Sequence, residues 1–391
     1  MKYNIHTSIL KKIFSAIQLI CQKKTISEFT QNALLLLSKK FCTIKATDLE
    51  SFVQISFAFN TITHNDDNEH VALVNAKRLY DLIKDINEEE ISLVIEQSHI
   101  VIQSPAMEIN LSLCKIDEFP FFDDRSVENI LSVSNKLLMS MVSYCLPLAQ
   151  NGASKLGTSG IGGIYFQFSE NHFKITTTDG HCLAHGAAQM ENSIEKSFEF
   201  LISRKSAADL KKIVELEGEE SSIVIGKSNE GEIVFSGQNF SIFIKPLREK
   251  FPEYSGIIST RGATEFQYNV PQLENIFKRL SCMTGGKFLP SQLKYDLNLS
   301  HNILASISNP SIGKMNEEIK VSLGHEVQDH NKFVISIYPL YVLQAIVALE
   351  TEELKGNLIG KMMVREEKRP IIFIKKDLFE KYYAIMPMVS N

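Results

Sequence analysis

The chain is poor in the features that mark secreted, membrane-spanning or disordered proteins. Its six cysteines, Cys21, Cys42, Cys114, Cys145, Cys182 and Cys282, are scattered through 391 residues with no C-x-x-C pair. That excludes a dense disulfide framework, and the thiols read as reduced and mostly packed. No apolar run reaches the ~18 residues that a membrane span needs, and the N-terminus lacks an apolar stretch followed by a small-residue cleavage site. A cytoplasmic protein is expected. With 11 prolines and no low-complexity tract, the chain is not a disordered scaffold either.

Sites for covalent, metal or cofactor chemistry are equally scarce. The glycine-rich stretch at 157–163 is not followed by Lys-Ser/Thr, and Gly285-Gly286-Lys287 lacks the earlier glycine and the hydroxyl of a phosphate-cradling loop. His64, Asp66, Asp67, Glu69 and His70 fall in one short polar run that reads better as a solvated hairpin loop than as a metal site. Asp179-Gly180-His181 has the look of part of a catalytic constellation. Cys182, the adjacent candidate nucleophile, would point away from His181 on a turn. The reading favoured here is a structural turn, with Asp179 capping and Gly180 at positive φ. No enzyme activity, cofactor or metal is expected.

What is present is repetition. Phe119-Pro120, Phe251-Pro252 and Met386-Pro387 close three stretches of about 130 residues each. Before each proline lie three short apolar segments, at 91–113, 221–246 and 357–387, with the period of strands. At 44% hydrophobic and 22% charged the chain can bury several cores. Three domains are expected, at 1–126, 127–257 and 258–391, in an α+β fold.

Capping residues ahead of apolar periodicity place six helix starts at near-even intervals, at Thr7, Asn75, Ser134, Ser203, Asn269 and Ser336. Each repeat is therefore itself a doublet. The expected apolar stripes are Ile9, Ile13, Ile17 and Ile20; Leu79, Leu82, Ile83 and Ile86; Leu210, Ile213 and Val214; and Leu273, Ile276, Phe277 and Leu280. Lys12, Lys77, Lys84, Lys205, Lys212, Lys278 and Arg279 fall outside those stripes. Lysines outside a helix are ordinarily just solvated, but their recurrence on equivalent helices favours one shared basic surface. The net charge of −5 argues at first against a nucleic-acid partner. The acidic runs at 88–90, 123–124, 217–220 and 350–353 sit in turns, so a basic face with an acidic rim is compatible with that total. A monomeric β-rich interaction module is the alternative.

Five segments, 74–86, 177–184, 200–213, 250–258 and the C-terminal YYAIMPM, resemble in order and spacing one family: the bacterial sliding clamp, the beta subunit of DNA polymerase III. The TDGH-x-LA, FP-[DE]-Y and MPM signatures are specific in combination. The resemblance implies three repeated clamp domains, each a doubled β-α-β-β-β unit, that form half of a six-domain ring with helices inside and sheets outside. It implies a homodimer around double-stranded DNA, without sequence specificity or catalysis. The implied partners are the replicative polymerase alpha subunit, the clamp loader complex, and other polymerases and repair proteins that carry short linear motifs.

Carried over residue by residue, the resemblance assigns Lys24, Lys77, Lys84, Lys155, Arg204, Lys205, Lys212 and Arg279 to DNA. It assigns Ile161, Thr178, Gly180, His181, Cys182, Leu183, Pro252, Ile257, Phe288, Tyr341, Met386, Pro387 and Met388 to a peptide-binding cleft, in which rigid Pro and Tyr walls meet adaptable Met side chains. Ile109 and Leu111 are expected to meet the region of Cys282 and Met283 in the partner protomer as edge strands join. There are departures from the family pattern. Cys182 stands where an arginine is usual, which would remove a cation from the pocket edge. The tail reads Val389-Ser390-Asn391, Glu108 replaces a basic position, and the loop 150–160 is rich in Gly and Ser.

Overall fold

The computed structural model describes residues 2–21, 28–59, 61–63, 69–120, 125–149, 162–298, 300–324, 332–350, 359–365 and 368–388. It forms two compact units, Met1–Ser140 with Lys205–Leu247, and Met141–Arg204 with Arg248–Asn391. Among the described residues there are seven helices: α1 (Thr7–Ile20), α2 (Ala76–Ile83), α3 (Asn135–Cys145), α4 (Arg204–Val214), α5 (Ser255–Ile258), α6 (Val270–Met283) and α7 (Pro339–Leu349). All strand pairs are antiparallel. Six times the chain runs from a strand through a helix into further strands, the expected doubled repeat. The third copy departs from the others, with two long strands, Gly163–Thr178 and Cys182–Ser203, in place of three short ones.

The first unit holds two sheets. One has five strands, in the order Thr61–Thr63, Lys2–His6, Glu90–Ile95, His99–Ser104, Met107–Ser112. The other has eight, Val127–Ser134, Ser222–Ser228, Ile233–Ser236, Phe240–Ile244, Ser51–Ala58, Phe41–Thr47, Asn32–Leu37, His70–Asn75. This sheet takes strands from both sides of residue 126, joined where Phe240 pairs with Ile55 and Ile244 with Ser51. Pairing there consumes two edges that would otherwise be open to another chain. Phe119, ahead of the first repeat-closing proline, is 3% exposed and packs with Leu34, Phe52, Leu73, Val234 and Phe243 beneath the join. Arg125 ion-pairs with Glu232 and lays its guanidinium 4.3 Å from the Phe52 ring centroid.

The second unit has a seven-stranded sheet, Gly163–Thr178, Cys182–Ser203, Glu380–Ile385, Ile371–Lys376, Ile359–Val364, Thr264–Asn269, Val321–Leu323. It also has a four-stranded one, Gly313–Ile319, Ile303–Asn309, Ser291–Asp296, Lys332–Ile337. Again the larger sheet is continuous across an expected boundary, through Cys182–Ala187 against Glu380–Ile385. Ser291–Asp296 and Ile303–Asn309 alternate inward and outward side chains, as strands covered on one face must. Phe168 stacks on Phe173 at 4.5 Å and Phe166 on Phe200 at 4.9 Å, filling the space under the long hairpin.

Helix starts at Asn75 and Asn269 carry side-chain caps, accepting from the backbone N–H of Arg78 and of Gln272. Leu273, Ile276, Phe277 and Leu280 of α6 are all buried, as are Leu210, Ile213 and Val214 of α4. Three expectations need correction. Thr7 is the first residue of α1 rather than a side-chain cap. Ser336 is buried in a strand, and α7 begins at Pro339, because the fixed φ of proline suits the first helical turn. Leu82 and Ile9 leave the apolar stripes: Leu82 is exposed and Ile9 half-buried, while Leu10 is fully buried.

Candidate peptide cleft and nucleic-acid interface

The hairpin at Thr178–Cys182 is held by side chains. Asp179 Oδ1 accepts from the backbone N–H of His181 (2.8 Å) and of Cys182 (2.7 Å). Thr178 Oγ1 donates to the Cys182 carbonyl (2.6 Å) and accepts from Gly180 N (3.1 Å). Gly180 sits at φ +89°, a conformation that favours glycine. Asp179 and His181 thus build a turn, in agreement with the structural reading of this motif.

This turn positions the C-terminal segment. Cys182 pairs with Ile385 in the sheet, Met386 N donates to the His181 carbonyl, and Met388 N donates to the Ser336 carbonyl, both at 2.8 Å. Pro387, with no N–H to satisfy, bridges these two anchors, and all three residues are half-buried. Beside them lies a group of rings. Phe288 is 54% exposed, 4.5 Å from Tyr338, 6.0 Å from His181 and 6.1 Å from Tyr341 by ring centroid. His181 stacks on Tyr341 at 5.9 Å. Leu183, two residues past His181 and so on the same face of the strand, is buried in a cluster with Ile372 and Ala384, covered by Tyr254, Ile257 and Ile258. Pro252 is exposed just before this cover. Thr178, Gly180, His181, Leu183, Ile257, Phe288, Tyr341 and Met386-Pro387-Met388 are therefore gathered in one unit, whereas Ile161 lies outside the described residues.

Cys182 does not line a surface. It is 1% exposed on the opposite face of the strand from Leu183, and burial followed by the nearby Asp179 charge pushes its thiol well above the ordinary range. It is a packed core residue, and the expected change at a pocket edge is not made there. Tyr338 was missed. It precedes Pro339 and lies three residues before Tyr341, so the two rings share the start of α7 and meet at 5.2 Å. The spacing is readable in sequence once the helix start is placed at Pro339 rather than Ser336.

The expected cations divide sharply. Lys77 is exposed. Lys84 pairs with Asp81 (3.1 Å), Lys212 with Glu215 (2.7 Å), and Arg279 places Nε 3.0 Å from Glu317. Arg204 is half-buried and donates to the Leu146 carbonyl. Lys24 and Lys155 lie outside the described residues. Lys205 is a correction: instead of projecting outward it ion-pairs with both Asp48 and Asp209, whose side chains are 0% and 7% exposed. Burial raises the Asp209 carboxyl to about 6, against the lowering effect of Lys205. The Lys205 ammonium is raised in turn, because the two carboxylates outweigh its burial.

Residues 1–123 match the DNA polymerase III beta subunit, N-terminal domain, and residues 157–253 match the DNA polymerase III beta subunit, central domain. The chain belongs to the DNA polymerase III beta subunit family. It is 23% identical over 291 residues to the beta sliding clamp of Bacillus subtilis, covering 74% of each chain. To the beta sliding clamp of Helicobacter pylori strain J99 it is 20% identical over 363 residues, 90% of each. Among solved structures, the DNA polymerase III beta subunit of Thermotoga maritima superposes with a TM-score of 0.85 at 20% identity. The sliding clamp of Pseudomonas aeruginosa bound to griselimycin gives 0.85 at 17%. Both cover 100% of each chain.

The residues expected at a protomer interface lie on or near two of the sheet edges. Met107–Ser112 ends the five-stranded sheet and Gly313–Ile319 ends the four-stranded one. Ile109 and Leu111 are half-buried on the first, and Glu108 points outward, accepting from Gln103 at 3.2 Å. Near the second, Cys282 is exposed at the end of α6, and Asn309 Nδ2 holds the Met283 carbonyl at 2.9 Å. Among the described residues no His, Cys, Asp and Glu side chains converge as a metal site, and no helix is long and apolar enough to cross a membrane.

Proposed function

We propose that this chain is one protomer of a homodimeric, non-catalytic sliding clamp of the cytoplasm that encircles duplex DNA. In that role it tethers the replicative polymerase, the clamp loader and motif-bearing repair proteins to the template. The observation that carries the reading is a strand–helix–strand pattern repeated six times among the described residues on a chain of the beta subunit family, with Met107–Ser112 and Gly313–Ile319 each at the edge of a sheet. Ile109 and Leu111 on one edge are assigned to meet the region of Cys282 and Met283 beside the other edge of a second copy, which removes both edges from solvent. The working domains are 1–126, 127–257 and 258–391.

Charge supports a topological rather than an adhesive hold. A ring needs only diffuse attraction to phosphates, through water and without base contacts. Exposed cations that already have intrachain partners suit that need. The cleft around His181, Leu183, Phe288, Tyr341 and Met386-Pro387-Met388 is assigned to short linear motifs. It offers aromatic and methionine surface of the kind that takes apolar anchors.

Retention after loading on nicked circular DNA, compared with the same DNA linearised, tests encirclement. The clamp stays on the circle and runs off the linear form, and equal loss from both defeats the reading. Light scattering provides the companion test, since a dimer has twice the 44.2 kDa of the chain.

A further inference from the structure

We propose, building on the cleft assignment above, that the rings of His181, Phe288, Tyr338 and Tyr341 together with Asp179 form a subsite for a cationic side chain, lysine or arginine, of the incoming peptide. The rings are contiguous: Phe288 to Tyr338 at 4.5 Å, Tyr338 to Tyr341 at 5.2 Å, Tyr341 to His181 at 5.9 Å, and His181 back to Phe288 at 6.0 Å. Their planes are inclined to one another, between 21° and 79°, so ring faces as well as edges are presented. Phe288 is 54% exposed and His181 exposed, with Tyr338 and Tyr341 half-buried behind them, so the cluster reaches the surface. The faces of Phe288, Tyr338 and Tyr341 carry negative potential and attract a cation within about 6 Å, with His181 as a packing wall.

Asp179 supplies the second element. Its Oδ1 is engaged by two backbone N–H groups, which fixes the carboxylate beside His181 and leaves Oδ2 to answer a ligand. Its charge is felt at the rings: after burial, it is the next cause that raises the Tyr341 hydroxyl to about 12. Met386, Pro387 and Met388, which run past the rings, bring no charge of their own. An apolar anchor would use the rings without Asp179, and an acidic one would be repelled by both. Lys287, exposed just before Phe288, opposes a bound cation and limits the gain to several-fold.

The test uses the intact protein and fluorescein-labelled nine-residue peptides that carry a Leu-Leu anchor pair. Arg, norleucine or Glu is placed in turn at each of the four positions before the pair, and binding is read by anisotropy. At one position Arg is expected to bind about fivefold more tightly than norleucine, with Glu weaker than either. Asp179→Asn keeps the acceptor for the two N–H groups and removes the charge. It should cut the Arg advantage over norleucine to less than about twofold, the ratio being read so that any effect of the turn common to both peptides cancels. Tyr338→Leu, which removes one ring without adding polarity, should reduce the same advantage and serves if Asp179→Asn does not fold. Equal Arg and norleucine affinities at every position overturn the subsite, as does an Arg advantage that survives both variants. Failure of every peptide to bind overturns the cleft assignment and the subsite with it.

Discussion

Lys205→Met tests whether Lys205 is a structural lysine rather than one of those assigned to DNA. In the folded chain Lys205 is the cation shared by Asp48 and Asp209, whose side chains are 0% and 7% exposed. Removing it leaves two carboxylates in a low-dielectric site, and breaking a buried pair in this way costs about 3–5 kcal/mol. The cost depends on pH with a definite sign. The Asp209 carboxyl is raised to about 6 from an ordinary 3.8, so between those values the folded state holds the proton more tightly than the unfolded chain. This contribution to stability is fully present below pH 3.8 and is lost as pH rises through 6. Lys205 offsets that loss at neutral pH. Without it the carboxyl pKa rises further, and each unit of acidification below that value recovers roughly 1.4 kcal/mol. Urea unfolding followed by far-ultraviolet circular dichroism and tyrosine fluorescence suits a chain with no tryptophan. Lys205→Met should be about 3 kcal/mol less stable than wild type at pH 7.5 and much closer to it at pH 5. A loss below about 1 kcal/mol at pH 7.5, or one independent of pH, refutes the assignment of Lys205 as the counter-ion.

The converse holds for Lys212→Gln, because Lys212 is exposed and its pair with the half-buried Glu215 is dispensable for folding. Stability should change by less than about 0.5 kcal/mol, while the salt slope of binding to linear DNA becomes shallower in filter binding. His185 is buried and hydrogen-bonded to Thr176 at 2.9 Å, and burial followed by Lys174 lowers it to about 4. The unfolded chain therefore binds the extra proton first, and stability should fall as pH drops from 6.5 through 4, by roughly 3 kcal/mol; thermal melts of wild type against His185→Gln would show the difference flatten. Gly180→Ala forces a Cβ into a φ of +89°, at a cost of about 1–2 kcal/mol. Because the turn anchors Met386, peptide affinity measured by anisotropy should drop as well. Leu111→Lys on the open edge strand should give a folded monomer in light scattering that no longer stays on circular DNA.

How far the sequence could be read depended on the range of the interaction. Helix caps are local, and Asn75 and Asn269 cap as their positions suggest. Amphipathic stripes are local too, and those of α4 and α6 are buried as expected. Lys205 has the same helical position as a solvated lysine. What draws it inward is Asp48, far back in the chain, and no periodicity reports that pairing. Cys182 failed for another reason. The strand from Cys182 to Gly186 is buried on both faces, so alternation does not say which side chains reach a pocket, and Leu183 and Cys182 are distinguished only by their neighbours. At Ser336 two local signals competed, a capping hydroxyl and a proline three residues on, and the proline set the helix start.

The contrast between Lys205 and its exposed counterparts bears on how a clamp slides. An exposed ion pair is worth about 0–1 kcal/mol, so a passing phosphate can exchange with Glu215 for Lys212 at almost no cost, and can be released as easily. A half-buried lysine held by two buried carboxylates cannot make that exchange without the penalty worked out above. On the proposed function, surface pairs act as a low, even background of exchangeable partners that keeps the cations assigned to DNA from binding any one phosphate for long, while topology provides the retention. On this argument, removing Glu215 rather than Lys212 is the informative change. Glu215→Gln frees Lys212, and should tighten binding to linear DNA at low salt yet slow diffusion along it in single-molecule tracking. Faster or unchanged diffusion with tighter binding would show that the intrachain pair has no part in keeping the contact loose.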